Sequence, residues 1–268
     1  MKLGIGSYAL AWSVGVSGYE APAGPLSAFD LLSLVREYGL KLVQYADNLP
    51  LIGLTREERA QLARQASESG IEIEAGTRGT DPEHLLEYLS ICREMNVKLL
   101  RTLITASDLE QARMELEQVL PDFEKHGVIL GIENHGLHTA KQLSDLLNRI
   151  QSPCLGCVLD TVNSFGALEG PEQVVNVLAP HTVNLHLKDF VIRRVDHQMG
   201  YVITGAPAGA GRLNIPDLLD KVAANGRRVT VVLELWPPFE ESMERTVRIE
   251  RLWLEESLRY LMPLFQHG

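Results

Sequence analysis

Cysteine is scarce in this chain: three in 268 residues, Cys92, Cys154 and Cys157. That excludes a disulfide-stapled secreted scaffold and fits a reducing cytoplasm. Cys154 and Cys157 have a C-x-x-C spacing, but the segment offers no further zinc ligands. The pair leads into a strand instead of opening a helix, so both read as small apolar residues. Positive charge is also short, with 25 Lys and Arg against 35 Asp and Glu, a formal net charge of -10. Such a surface argues against nucleic acid or an anionic membrane as the main partner, although local Arg and Lys can still govern a pocket for an anionic small molecule. No apolar run is long enough to span a bilayer. The N-terminal LGIGSYALAWSVGVSG has one preceding Lys and is broken by Gly, Ser, Tyr and Trp, so it reads as a first strand and not as a signal peptide. A soluble cytoplasmic protein is expected. There is no GxGxxG between the first strand and the first helix, which removes the usual dinucleotide cradle. Internal repeats, low-complexity tracts and a second-domain boundary are missing as well.

What the chain does have is alternation. Hydrophobic residues make up 45% of it, enough to bury a large core. Strand-like runs fall near 2–8, 41–46, 71–76, 97–103, 128–133, 155–160, 182–188 and 229–235. Helical periodicity fills the gaps near 26–38, 55–69, 82–95, 107–126, 139–150, 171–179, 215–225 and 242–262. Thr55–Glu58, Ser107–Glu110 and Thr139–Gln142 fit the capping-box pattern, Asp81-Pro82 places Pro at a first helical position, and Pro121 is expected to kink or split the fourth helix. Strands and helices in this order predict a single α/β domain over 1–268, a (β/α)8 TIM barrel. The longest interruption, about 190–214, follows the seventh strand and is expected to form a lid.

Four of the later strand-like runs carry one polar residue near the C-terminal end: Glu133 in VILGIENH, Asp160 in LGCVLDTVNS, His186 in TVNLHLKD and Glu234 in RVTVVLELWPP. Alternate residues of a barrel strand point inward, and the active site forms at the C-terminal end. In the seventh strand Val183, Leu185 and Leu187 are expected to face the helices, leaving Asn184, His186 and Lys188 inside. In the eighth, Val231, Leu233 and Leu235 face outward and Thr230, Val232, Glu234 and Trp236 inward; in the fifth, Glu133 and His135 are inward. A lone buried carboxylate in an apolar strand is costly, so four such residues in phase predict a divalent-metal site. Two Glu, one Asp and one His form a hard, mostly oxygen donor set suited to Mn²⁺, with Mg²⁺, Co²⁺ or Zn²⁺ also compatible.

With IENHG at 132–136, LDTVNS at 159–164, HLKD at 186–189, GAGRLNIPDLL at 209–219 and LELW at 233–236, the chain resembles the xylose-isomerase-like TIM-barrel superfamily. That superfamily, of the AP endonuclease 2 type, includes keto-sugar 3-epimerases, hydroxypyruvate isomerases, inosose dehydratases and endonuclease IV. The resemblance implies that Glu133, Asp160, His186 and Glu234 are the metal ligands, and that Glu133 and Glu234 are also the catalytic acid/base pair. It implies an isomerase or epimerase acting on a keto sugar or oxo sugar acid through a metal-stabilised enediolate. The alternative is a lyase on the same site, a decarboxylase of a 3-oxo sugar acid such as 3-oxoisoapionate or an inosose-type dehydratase. Many epimerases of the family have a histidine three residues after the Asp ligand; here Asn163 stands there, which keeps the lyase in view. Arg101, Lys188 and Arg212 lie near the expected rim and permit an acidic substrate. His135, Asn163 and Trp236 complete the expected substrate contacts, with Trp12 and Tyr8 candidates for an aromatic wall, while His138 reads as the start of the next helix. DNA repair is disfavoured, because His84, His126, His135, His138, His181, His197 and His267 do not fall consistently at strand ends. The partners expected are a small sugar or sugar acid and, compatibly, further copies of the chain.

Overall fold

Each apolar run becomes a strand because its β-branched and leucine side chains can be covered on both faces, and each amphipathic stretch supplies the covering helix. The computed structural model describes residues 1–265, so His267 lies outside the described residues. In chain order the elements are β1 (Lys2–Gly6), a short α1 (Ala11–Val14), α2 (Ala28–Glu37), β2 (Leu42–Tyr45), α3 (Arg56–Glu68), β3 (Glu72–Gly76), α4 (Pro82–Glu94), β4 (Leu99–Leu103), α5 (Leu109–His126) and β5 (Ile129–Glu133). They continue with α6 (Ala140–Ile150), β6 (Leu155–Asp160), α7 (Pro171–Leu178), β7 (Thr182–Leu187), β8 (Asp189–Arg194), β9 (Tyr201–Ala206), α8 (Ile215–Ala223), β10 (Thr230–Leu233) and α9 (Met243–Phe265). Strands β1 to β7 and β10 close into a parallel barrel, a single-domain TIM barrel.

The main core lies between barrel and helices. Leu185, Leu187, Val231, Leu233 and Leu235 are buried on the outer face of β7 and β10, and Leu143, Leu146 and Leu147 of α6 meet the barrel at helical spacing. Each such side chain contributes roughly 1.5–3 kcal/mol of apolar burial. The capping boxes at Thr55/Glu58 and Thr139/Gln142 are present, as is the Asp81 cap ahead of Pro82. The third expected box is not: Asp108, one residue later than Ser107, caps α5 by accepting from the Glu110 and Gln111 amides. Asp108 is itself the N-cap residue, so its carboxylate lies next to those amides and Ser107 stands one residue outside the helix. Helix α5 runs unbroken through Pro121. Among the described residues no helix is long and apolar enough to cross a membrane.

Two further expectations require correction. Val183 does not join the helix-facing leucines: the β6–β7 register shifts at Cys157/Val158, and a Val183 methyl lies 2.4 Å from where a Cβ at Gly156 would be, with the other in van der Waals reach of Gly131. An irregularity of one residue moves that side chain into the barrel. The segment after β7 is also more ordered than a loop. Strands β8 and β9 pair antiparallel from Asp189↔Ala206 to Arg194↔Tyr201. Asp189 then organises the return: its Oδ2 accepts from the amides of Gly209 and Gly211 at 3.0 Å each, and its Oδ1 from Leu213 at 3.1 Å. A Cβ at position 211 would lie 2.1 Å from Asp189 Oδ1, which explains the glycine.

Candidate active site

The four expected ligands meet at the C-terminal end of the barrel. One ligand atom from each of Glu133, Asp160 and His186 lies within 4.8 Å of the others, all three residues being buried. Glu234 joins them, its Oε1 3.5 Å from His186 Nδ1, while Glu133 Oε2 is 3.6 Å and Asp160 Oδ2 4.0 Å from the same nitrogen. Parallel strands with registered C-terminal ends make this convergence possible: Asp160 stands opposite His186, and Val232 opposite His186 on the other side, two residues before Glu234.

The local chemistry separates the carboxylates. Asp160 Oδ1 accepts the Val162 and Asn163 amides at 2.8 Å each, which turns Oδ2 toward the cluster. Asn134 braces the same turn, donating to the Asp160 carbonyl and accepting its amide. Glu133 is held at both oxygens: Asn163 Nδ2 donates to Oε1 at 2.7 Å, and Arg101 Nε pairs with Oε2. Arg101 is 2% exposed and also bonds Asp47 Oδ1 and the Thr77 carbonyl. Lys188 Nζ lies 2.8 Å from both Asp160 Oδ2 and Glu234 Oε2. Its approach to Asp160 Oδ2 is an ion pair outside hydrogen-bonding geometry, since that oxygen has no hydrogen-bond partner.

These contacts set the charges. Burial by itself would raise the Glu133 carboxyl, yet Arg101, then His186 and Lys188, hold it well below the usual carboxylate range. Burial raises Asp160, with Glu133 and Glu234 adding to the rise against the pull of Lys188. Burial would lower His186, but Glu234 and Glu133 more than offset it and the imidazole is raised. Lys188 is likewise raised: burial is outweighed by Asp160, Glu234 and Glu133.

A divalent cation fits this arrangement. Among the described residues four buried side-chain polar atoms lack a hydrogen-bond partner, and three of them are Asp160 Oδ2, His186 Nδ1 and Glu234 Oε1. Buried acceptors left unpaired cost roughly 1–3 kcal/mol each, more for charged groups. The three atoms face one small volume beside Glu133, with the Lys188 ammonium at Asp160 Oδ2, and a divalent cation there would meet all of them.

The remaining expected contacts divide by position. Lys188, its side chain 12% exposed, and the half-buried Asn163 border the cluster, whereas His135 is exposed at the end of β5. Trp236 is half-buried and donates through Nε1 to the Asp189 carbonyl, packing against Gly205 of the hairpin. Arg101 is enclosed behind Glu133. Arg212 lines a groove of about 360 Å³ with Glu172 of α7 and Asp217 of α8. Trp12 packs edge-on to Tyr19 and tilted against Phe239, its Nε1 donating to the Pro237 carbonyl. Tyr8 donates to Asp47, and burial with the nearby Asp47 charge pushes its hydroxyl up to about 12. His138 precedes the Thr139 cap of α6, as expected, and its Nε2 meets the Ala106 carbonyl.

Sequence reasoning missed Asp47, Asn134, Gln44 and Glu74. The last two sit on β2 and β3 in LVQY and EIEAG, where a polar residue between buried apolar ones was the available signal.

Comparison with known proteins fits this geometry. A family model described as xylose isomerase-like TIM barrel matches residues 32–261. The chain is 32% identical over 265 residues to a 3-oxo-isoapionate decarboxylase of Pectobacterium atrosepticum, covering 97% of this chain and 95% of that protein. Among solved structures, a D-psicose 3-epimerase with D-tagatose from Clostridium cellulolyticum H10 superposes with a TM-score of 0.70 at 14% identity, over 97% of each chain. A xylose isomerase-like TIM barrel protein from Mycobacterium smegmatis in complex with magnesium gives 0.65 at 14% identity, again over 97% of each. At these identities the structures share the fold.

Proposed function

Because the chain belongs to the xylose isomerase-like TIM barrel family, we propose that it is a divalent-metal-dependent lyase that decarboxylates a 3-oxo sugar acid through an enediolate. Similarity to a decarboxylase of this kind, 32% identity along 97% of the chain, supports the reaction class. The single observation that carries the reading is the inequality of the two glutamates. Glu133 has both oxygens engaged, by Asn163 and Arg101, and is held as a carboxylate. Epimerisation by two glutamates needs each to exchange a proton with carbon, and a carboxylate so strongly held is a poor proton carrier. Decarboxylation needs only one proton delivered, which a single glutamate with one oxygen free of hydrogen bonds can supply.

Glu133, Asp160, His186 and Glu234 would hold the ion, and Mn²⁺ suits their mostly oxygen donor set; the magnesium complex of a fold neighbour supports a divalent cation. When bound, such an ion would polarise the substrate carbonyl and offset the charge of the enediolate. Arg101 and Asn163 keep Glu133 ionised and oriented. The bond from carbon to the carboxylate breaks, its electron pair enters the enediolate double bond, and CO₂ departs. One proton is then taken up by the carbon that lost the carboxylate. Glu234 is placed to hold it, with Oε1 free of hydrogen bonds and Oε2 against the Lys188 ammonium. Lys188, Asn163, His135 and Trp236 are the side chains proposed to meet substrate.

A second reading, isomerase or epimerase action on a ketose, is favoured by the presence of both glutamates beside one imidazole. Incubation of the Mn²⁺-loaded protein with 3-oxo sugar acids in D₂O separates the two. CO₂ release with one deuterium at the new C–H carbon, lost in Glu234→Gln, is expected. Deuterium exchange next to a ketose carbonyl without carbon loss would instead establish the isomerase.

A further inference from the structure

Directly beneath the acidic cluster the barrel interior holds a second polar layer: Gln44 on β2, Glu74 on β3, Asn184 on β7 and Thr230 on β10. Gln44 pairs in register with Glu74, and Thr230 with Asn184. All four are buried, Gln44 and Asn184 completely. Uncompensated, so many polar groups in a barrel core would be strongly destabilising, and the layer solves this by bonding to itself.

The bonds have a direction. Glu74 accepts from Thr230 Oγ1 at 2.6 Å on Oε1, and from the Gln44 and Asn184 amides at 3.0 Å each on Oε2. Thr230, having donated its only proton to Glu74, accepts from Asn184 Nδ2 at 2.8 Å. Asn184 Oδ1 therefore faces Gln44 Nε2, 3.4 Å away. Both protons of the Gln44 amide are thus spent on Glu74 and Asn184, and its Oε1 is left pointing at His186 Nε2, 2.7 Å distant. An amide oxygen can only accept, so His186 must carry its proton on Nε2. In the neutral ring Nδ1, which has no hydrogen-bond partner, then presents a lone pair to Glu133, Asp160 and Glu234.

We infer that Glu74 and Gln44, braced by Asn184 and Thr230, are positioning residues that fix neutral His186 as the Nε2–H tautomer and so deliver Nδ1 to the acidic cluster. Buried Glu74 is the origin of the direction: Oε2 takes two amide protons, and the sense is relayed through Gln44 to a ring it never touches. Partners that hold the far nitrogen of a ligating histidine are worth about 10- to 100-fold in metal affinity. The value of the relay to catalysis rests on the metal-site reading; the tautomer assignment does not.

The test uses full-length protein with ¹⁵N-labelled histidine rings. Long-range ¹⁵N–¹H spectra of the metal-free protein, at alkaline pH where the imidazole is neutral, report the tautomer. His186 is expected as Nε2–H with an exchange-protected ring proton. An Nδ1–H tautomer, or an even mixture of the two, would overturn the relay. Gln44→Met removes the acceptor with little change of volume. It should lose the protected Nε2–H signal and weaken Mn²⁺ binding by about 10- to 100-fold by calorimetry. Glu74→Gln can keep its oxygen toward Gln44 and should retain both the tautomer and the affinity. If Gln44→Met does not fold, the wild-type spectrum by itself still decides. An Nε2–H wild type that takes up no Mn²⁺ would refute the metal reading while leaving the tautomer assignment standing.

Discussion

Glu250 of α9 makes a prediction that can be worked through from the structure. It is fully buried, and its carboxylate accepts from the Trp12 amide at 2.8 Å, the Ser13 amide at 2.9 Å and the Ser13 hydroxyl at 2.6 Å. It therefore ties the last helix to α1, next to the Trp12–Tyr19–Phe239 aromatic cluster. Burial outweighs these three hydrogen bonds and pushes the carboxyl up from 4.5 to about 7. A carboxyl whose folded pKa lies above its unfolded value binds protons more tightly when folded. Its contribution is therefore greatest below the unfolded pKa and is lost as pH rises through the folded one. A rise from 4.5 to about 7, at 1.36 kcal/mol per pH unit, amounts to about 3 kcal/mol lost between pH ~4.5 and pH ~7. Other buried groups titrate nearby, so the quantity to measure is a difference. Urea unfolding of wild type and Glu250→Gln across that pH range gives it, because glutamine keeps the shape without the proton. Glutamine sacrifices one acceptor for the Trp12 or Ser13 amide, a constant offset of about 1–3 kcal/mol. The wild type should lose its advantage as pH rises, by about 3 kcal/mol against that offset. A difference that stays flat from pH ~4 to pH ~8 would mean that the Glu250 carboxyl titrates alike in the folded and unfolded chain, its three donors balancing burial.

Two further perturbations follow from contacts elsewhere. Replacing Arg101 by Met strips the cation from Glu133 and Asp47 and should cost about 3–5 kcal/mol in chemical unfolding, whereas a loss under about 1 kcal/mol would show the ion pair to be incidental. Gly211→Ala forces a Cβ into Asp189 and should detach the amides at 209, 211 and 213, read as faster hydrogen exchange there with little change in the rest of the barrel; unchanged protection would sink that account of the loop.

Much of the barrel was readable because its signals are local. Strand length, β-branched content and helical periodicity depend on neighbours in sequence, and the barrel strands and main helices fall within a few residues of where those patterns end. The exceptions had non-local causes. Val183 left the helix-facing set because a register irregularity between β6 and β7 is a property of the pair, not of either strand. The β8–β9 hairpin was hidden because its exposed tip, with Met199 and Tyr201, shows no alternation of the kind a core imposes.

The site divides along the same line. Period-two phase alone puts Glu133, Asp160, His186 and Glu234 inside the barrel, because the pleat leaves a strand residue only two directions in which to point. Phase could not say which partners each would meet. Closure of the barrel, which brings β2 across the interior from β7, placed Gln44 against His186, residues 142 positions apart in sequence. Pairing of β4 with β5 set Arg101 on Glu133, while Glu234 kept an oxygen without a hydrogen bond, turning two glutamates of one residue type into unequal groups. The sequence by itself determined the fold and the donor set, since both follow from periodicity and residue chemistry along the chain. Only the tertiary structure decided the protonation and direction of those donors, since these depend on burial and on hydrogen-bond partners that distant strands supply.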